Sequence, residues 1–350
     1  MFEGKTLAVI VPCRDEARQI TRVLTTMPSW VDRIFVVDDG SRDRTASIVR
    51  AMAAADARIE LISHPTSGGA GRAAASGYAE SRAQGFDITV VMAGDGQTAP
   101  EDLAMLVRPI AAGCADYVKG SRFIHPDGVA RIPRLRRFGN YVLSAVTRVV
   151  TGYWHISDAQ CGYTALSRMS LKRLDVEHLY RGYGYPNDLL ARCAVARLRV
   201  AEVPVKPLYA VGETSKMRIP RVVLPIFFVL LRGFARRWFA NVVVGPGHPF
   251  AIAFAFSALF GAFALFAAFA LGVSTTGVAL CLACQTFLTA LFFDFEASRT
   301  LCIRVEHEAL FRAEAPHDVK AEALDNTRAG ARHEARTGTR VPLDSLPSPG

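Results

Sequence analysis

Four short apolar runs in the first hundred residues, 7–11, 34–37, 59–62 and 88–92, each stop abruptly in polar or glycine chemistry. Helix-forming segments separate them: one opening near Glu16 and running to about Met27, then 45–55, 73–82 and 100–112. Strands that alternate with helices of about three turns build an α/β domain with a mainly parallel sheet covered on both faces. The ends of parallel strands share one edge, and ligands bind outside that edge in open α/β sheets. The first run leads into Pro12 and Glu16, the second into Asp38 and Asp39, the third into Gly68, Gly69, Gly71 and Arg72, and the fourth into Asp95 and Gln97. Four polar endings on one edge predict a ligand crevice there.

The fourth ending, VVMAGDGQTAPED at 90–102, carries the most chemistry. Asp95 and Gln97 offer hard oxygen ligands that suit Mg²⁺ or Mn²⁺. By itself the stretch reads equally well as a strand–turn–helix junction in which Asp95 caps a helix. Thr98 is the expected N-cap, with Pro100, Glu101 and Asp102 in the first turn. The glycine run lacks both the dinucleotide spacing and the Lys-Ser/Thr of a P-loop. It serves as a flexible turn, or as glycines opening a helix beside Arg72 where a phosphate approaches closely.

Further along, strands are expected at 116–119, 163–166 and 199–207, and a helix at 188–196. Residues 134–153 have apolar positions at helical spacing, with Arg136, Arg137 and Arg148 between them. This pattern fits a core-facing surface helix or a basic helix lying in a membrane interface. A second such helix is expected at 221–240. No charged residue occurs from Pro249 to Phe293, a length that accommodates two membrane helices of about 20 residues. Two spans are predicted within 249–294. Arg232, Arg236 and Arg237 precede them and Arg299 and Arg304 follow, so both outer ends of the hairpin should be cytoplasmic. That predicts a multi-pass protein of the cytoplasmic (inner) membrane with its N-terminal domain in the cytoplasm. The net charge of +9 suits anionic headgroups, and no nucleic-acid-binding motif accompanies it. Seven scattered cysteines, an odd number, suggest reduced cytosolic thiols. Cys281-Leu-Ala-Cys284 has redox spacing but sits in an apolar span and reads as small packing residues. The first apolar run is too short for a signal peptide. The charged tail, 305–350, is expected to be disordered.

Several stretches together, VIVPCRDE, VVDDGSRDRT, GGAGRAAASG, AGDGQTAPEDL, VKGSRF, DAQCGYTALS and VGETSKM, span about residues 6–220. They resemble the family 2 glycosyltransferases of GT-A fold, and within these the polyprenyl-phosphate hexosyltransferases of the dolichyl-phosphate mannose synthase type. The resemblance implies a GT-A nucleotide-sugar-binding domain over 1–220, a UDP- or GDP-sugar donor, a polyprenyl phosphate acceptor and a divalent cation. It places Pro12, Glu16 and Asp39 around the base and ribose, with Asp38, Gly71 and Arg72 also candidates for binding the donor. It places Asp95 and Gln97 on the metal, Arg122 and Arg134 on the acceptor phosphate, where Arg137 is a further candidate, and Asp158 near the sugar and acceptor. Ser215 and Lys216 match a loop that closes on the donor. Two positions depart from the family pattern. Ala93 stands where a first metal-motif carboxylate is usual, and Arg14 where an aromatic usually packs.

The implied reaction is inverting transfer of a sugar to a lipid phosphate. The acceptor's second pKa of about 6 makes it largely anionic near neutrality, so a strong base is not required. Asp158 then serves as a positioning group, or as the base. Tyr183, Tyr185, Asn187 and Asp188 are candidate sugar contacts, and Asn187 is equally a candidate helix cap. Two other readings stand beside this one: a family 2 enzyme acting on a polysaccharide, and a non-catalytic nucleotide-binding membrane scaffold, for which Ala93 is the support. No Gln-x-x-Arg-Trp occurs to favour the polysaccharide reading. The sugar, the polyprenol length and whether the chain forms a homo-oligomer are not readable from the sequence.

Overall fold

A computed structural model of the chain describes residues 1–125, 134–208, 219–241, 249–270 and 273–303, all within the compact unit Met1–Val305. Its sheet has eight strands: β1 (Leu7–Cys13), β2 (Arg33–Asp38), β3 (Ile59–Ser63), β4 (Ile88–Val91), β5 (Tyr117–Ser121), β6 (Thr164–Ser167), β7 (Val200–Pro204) and β8 (Cys302–Ile303). They lie in the order β3-β2-β1-β4-β6-β5-β7-β8. Pairing is parallel except around β6, which runs antiparallel to both β4 and β5. The reversal matters for the site. Because β6 runs backwards, its beginning lies on the edge where the parallel strands end. The loop that precedes it, carrying Asp158, therefore reaches the same edge as Asp38 and Asp95.

Helices α1 (Ile20–Thr25), α2 (Thr45–Ala55), α3 (Ala70–Gln84) and α4 (Leu103–Ala111) follow the first four strands. Strands β1 and β2 are buried along almost their whole length, as a sheet covered on both faces requires. Two expectations are corrected here. The first helix starts at Ile20 rather than near Glu16. The amides of Asp15, Glu16 and Ala17 instead donate hydrogen bonds to the side chains of Ser41, Thr45 and Asp43. Asp15 itself adopts a left-handed φ of 53°, so polar contacts with the second strand end replace the first helical turn. Thr98 is not an N-cap. The turn Pro100–Asp102 is preceded by Ala99 without a side-chain cap, and Thr98 forms an isolated bridge with Pro207 instead.

Helices α5 (Arg134–Thr151), α6 (Arg168–Arg173), α7 (Tyr185–Val195) and α8 (Ile219–Phe239) complete this part. Val150 of α5 is buried with Ile226 and Leu230 of α8, and Leu143 and Phe234 pack against them. Elsewhere the two helices leave large apolar side chains exposed: Phe138, Val142 and Val146 on α5, and Leu224, Phe227, Phe228 and Leu231 on α8. Such a density of exposed apolar side chains marks an interaction surface.

Helices α9 (Pro249–Ala270) and α10 (Val273–Ser298) pack together, with Ser257 Oγ donating to the Ala283 carbonyl at 2.9 Å and Phe254 meeting Phe287 at 6.5 Å. Among the described residues, one helix, Gly277–Leu301, is long and apolar enough to cross a membrane, and Ile252–Phe266 is apolar but shorter. The chain then returns to the sheet as β8, pairing Cys302 with Val200 and Ile303 with Ala201. The expected tail, 305–350, lies outside the described residues.

A buried ion pair ties α8 to the end of α10. Arg237 contacts both carboxylate oxygens of Asp294, and its Nη1 also donates to the Val150 carbonyl at 3.3 Å. Trp154 Nε1 donates to Asp294 at 3.3 Å. Gly152 makes room for the guanidinium, since a Cβ there would lie 2.2 Å from Arg237 Nη2. Removing one member of a buried pair leaves the other charge unpaired, at a cost of about 3–5 kcal/mol. Arg237→Met should therefore lower the thermal unfolding temperature in detergent markedly, and Arg237→Met combined with Asp294→Leu should recover most of the loss. Unchanged stability of the single variant would contradict this account.

Candidate active site

The second and third strand ends are knitted together by Asp39. Its carboxylate accepts hydrogen bonds from Ser67 Oγ (2.7 Å), the amides of Gly68 and Gly69 (2.8 Å each) and His64 Nδ1 (3.0 Å). Burial works to raise its pKa, but these four bonds outweigh it and bring the group to about 2. Asp39 thus stays ionised and shapes the glycine loop. Asp38 is buried and accepts from the Ser41 hydroxyl and amide. Cys13, at the end of β1, is held as a neutral thiol by burial and by the carboxylates of Asp38, Glu16, Asp43 and Asp39. Pro12 and Glu16 therefore lie at an acidic corner of the edge.

The glycine loop is packed rather than open. The Gly71 amide donates to the Arg181 carbonyl at 2.8 Å, and a Cβ on Gly71 would fall 1.9 Å from the Tyr180 carbonyl oxygen. Close approach of the 180–182 segment is what demands glycine. Arg72 reaches back to the Thr66 carbonyl at 3.3 Å.

At the fourth strand end, the Gln97 amide donates to Asp95 Oδ1 at 3.0 Å. Burial and the nearby charge of Asp95 both keep the Tyr185 phenol protonated, so α7 begins beside the proposed metal ligands. Among the described residues, no group of three or more His, Cys, Asp or Glu side chains is arranged to hold a metal ion. The oxygen pair Asp95 and Gln97 still fits a divalent cation of the Mg²⁺ type, which binds through one or two carboxylates plus substrate phosphates and water.

A buried polar cluster lies where β5 and β7 approach the ligand edge. Asp158 is wholly buried and held by Arg122 in a two-point contact, Nε to Oδ2 at 2.7 Å and Nη2 to Oδ1 at 3.0 Å. Burial would raise the Asp158 pKa, but the charge and hydrogen bonds of Arg122, with help from Lys119, hold it below the usual carboxylate range. Lys119 and Glu202 are buried beneath this pair. Burial lowers the Lys119 pKa against the pull of Asp158 and Glu202. Burial, reinforced by the charge of Asp158, pushes Glu202 up to about 7 against the bonds it accepts from the amides of Asp158 and Ser157.

The family profile described as glycosyl transferase family 2 matches residues 8–175, which contain every strand end just described except that of β7. A polyprenol monophosphomannose synthase of Mycolicibacterium smegmatis is 30% identical over 201 residues, covering 56% of this chain and 75% of that protein. This chain belongs to glycosyl transferase family 2. Two further relatives span more of it. The UDP-N-acetylglucosamine–dolichyl-phosphate N-acetylglucosaminyltransferase of Methanococcus voltae is 29% identical over 240 residues, 65% of this chain and 95% of that protein. The undecaprenyl-phosphate mannosyltransferase of Micrococcus luteus is 28% identical over 232 residues, 65% of this chain and 94% of that protein. In fold, the chain resembles glucosyl-3-phosphoglycerate synthase from Mycobacterium tuberculosis, solved with Mn²⁺, UDP and glucosyl-3-phosphoglycerate. The TM-score is 0.51 at 21% identity, over 66% of this chain and 81% of that one. The GT-A architecture is the shared element.

In this family 2 glycosyltransferase, Pro12, Glu16, Asp38, Asp39, Asp95, Gln97, Arg122 and Asp158 come from separate strand ends to one edge. Arg137 lies on α5, half-buried. The side chain of Arg134, and Ser215 and Lys216 altogether, lie outside the described residues. Asn187 and Asp188 are turned to structural work. Asn187 is buried, donates to Thr147 Oγ1 at 2.8 Å and accepts from Gln160 Nε2 at 2.6 Å. Asp188 accepts from the Tyr180 amide, Arg192 and Arg232. The α7 N-cap is Gly184, not Asn187. Sequence reasoning passed over Lys119 and Glu202, although each is a lone charge inside an apolar strand, which is itself a signal.

Glu202 yields a pH signature. Its folded pKa of about 7 lies above the ordinary 4.5. The folded chain therefore holds the proton that the unfolded chain releases, and stability falls as pH rises across that window. The contribution is fully present below pH 4.5 and lost as pH passes about 7. Denaturant unfolding measured between pH 4 and about 8 should show this fall in the wild type and a flatter profile in Glu202→Gln; parallel profiles would count against it.

Proposed function

We propose that this glycosyltransferase moves a sugar from a nucleotide-sugar donor, with inversion, to a polyprenyl phosphate at the cytoplasmic face of a membrane. The observation that carries the reading is the Arg122–Asp158 pair. It holds a cation at the ligand edge, in the same compact unit as two helices with exposed apolar side chains. The named activities of the three relatives, all sugar transferases acting on a polyprenyl-type phosphate, support the acceptor class. The donor is a UDP- or a GDP-sugar.

Transfer requires two anions, the donor diphosphate and the lipid phosphate, to meet. Arg122, with Arg134 and Arg137, supplies positive charge for the acceptor phosphate through the two-point contacts a guanidinium makes. Asp158 orients Arg122 and remains ionised. Its burial and pairing favour positioning over proton abstraction, and an acceptor already anionic needs little help from a base. Pro12, Glu16, Asp38 and Asp39 frame the base and ribose, Asp39 by fixing the glycine loop. Gly71 and Arg72 border the phosphates, and Ser215 and Lys216 close over the donor. Asp95 and Gln97 would hold Mg²⁺ or Mn²⁺, which would supply charge neutralisation for the departing nucleotide diphosphate. The apolar side chains of α5 and α8 rest in the membrane interface, and α9 and α10 form a two-helix transmembrane hairpin. The polyprenyl tail thus stays in lipid while its phosphate reaches the sheet edge.

Incubation of the purified protein with labelled UDP- or GDP-sugars and polyprenyl phosphate should render label organic-extractable, and EDTA should prevent it. Loss of several kcal/mol of charge stabilisation predicts that Asp95→Ala lowers turnover by about 100-fold or more. Full activity of Asp95→Ala, or of the wild type in EDTA, would remove the metal role. Label that enters only a water-soluble polymer would replace the lipid acceptor with a polysaccharide.

A further inference from the structure

Lys119 and Glu202 sit directly opposite each other in the parallel register of β5 and β7. Their strand neighbours Val118 and Val203 are wholly buried apolar residues. A sheet interior needs nothing more than such residues, and burying an ion costs several kcal/mol unless it is well satisfied. Both charges are spent on one short loop. Glu202 accepts from the Ser157 amide at 2.8 and 2.9 Å, the Asp158 amide at 3.0 Å and the Ser157 hydroxyl at 3.1 Å. Lys119 Nζ donates to the Cys161 carbonyl at 2.6 Å. Glu202 holds the donors at the start of the loop, and Lys119 holds an acceptor at its end. Between those ends lies Asp158, whose carboxylate takes the two-point contact from Arg122. The Ser121 and Ser157 hydroxyls, 2.6 Å apart, join β5 to the loop a second time.

We propose that Lys119 and Glu202 form a cross-strand clamp on residues 157–161 that sets, through Asp158, where the Arg122 guanidinium stands for the acceptor phosphate. They are positioning residues, because neither contacts the reacting groups. The inference rests on the acceptor reading of Arg122 given above. The loop presents amide hydrogens at one end and a carbonyl oxygen at the other, so it requires an acceptor on β7 and a donor on β5, which Glu202 and Lys119 supply.

The test uses the full chain in detergent or nanodiscs, with Glu202→Gln, which preserves shape, and Lys119→Met, which releases the other end. Hydrogen exchange of the amides at 157–161 reads the clamp, and steady-state kinetics read its consequence. A misplacement of about 1 Å near reacting groups costs on the order of 100-fold. Each variant should therefore raise KM for polyprenyl phosphate, or lower kcat/KM for it, by at least about tenfold, leaving donor KM within about twofold. Exchange at 157 and 158 should accelerate in Glu202→Gln, and at 161–163 in Lys119→Met. The double variant should lose no more than about twofold beyond the worse single one, because both act on one loop. Folded variants with wild-type exchange across 157–163, or with donor and acceptor KM rising together, would overturn the clamp. A wild type that transfers sugar to no polyprenyl phosphate would overturn the acceptor reading instead. The exchange comparison would then decide the clamp by itself.

Discussion

The Arg122–Asp158 contact is the interaction around which the site is arranged. A carboxylate with no exposed surface is tolerated only when paired and hydrogen-bonded. Here one guanidinium supplies the pairing, at 2.7 and 3.0 Å. The pair requires the end of β5 and the loop before β6 to be neighbours, and that follows from β6 running antiparallel between β4 and β5. Beneath it, Lys119 and Glu202 satisfy the loop's main chain. Farther out, Gln160 and Asn187 carry the polar chain to Thr147 on α5. A chain of satisfied polar groups thus runs from the ligand edge to the amphipathic helix.

A second constraint joins the sheet to the apolar helices. Arg232 of α8 reaches Asp188 of α7, and Arg237 reaches Asp294 at the end of α10. After α10 the chain re-enters the sheet as β8. The apolar helices are therefore bounded on both sides by contacts to the catalytic unit. This anchoring suits the proposed reaction, in which one substrate is soluble and the other is held in lipid. Buried ion pairs are poor sources of net stability but strict about geometry, and geometry is what such an interface needs.

The donor side follows a different logic. Asp39 and Gly71, both candidate donor contacts, are engaged by the protein itself. Their part is to shape the pocket, Asp39 by drawing the glycine loop against β2 and Gly71 by admitting the 180–182 segment. The acidic corner formed by Glu16, Asp38 and Asp43 suits a neutral base and ribose better than a phosphate. A diphosphate approaching such an edge needs added positive charge, which is the physical case for a divalent cation at Asp95 and Gln97.

The sequence alone determined the strand–helix alternation, the shared polar edge and the candidate residues on it, because those depend on local periodicity and on the chemistry at each strand end. It also determined the apolar C-terminal segment, because absence of charge over 45 residues is visible without a fold. It misjudged the start of α1 and the capping role of Thr98, where distant side chains replaced local helix signals. Only the tertiary structure decided that β6 runs antiparallel, that Asp158 is buried against Arg122, and that Lys119 and Glu202 meet across β5 and β7. It also decided the return of residues 302–303 to the sheet. Each of these joins residues separated by tens of positions or more, and such pairings are set by register and burial rather than by any local pattern.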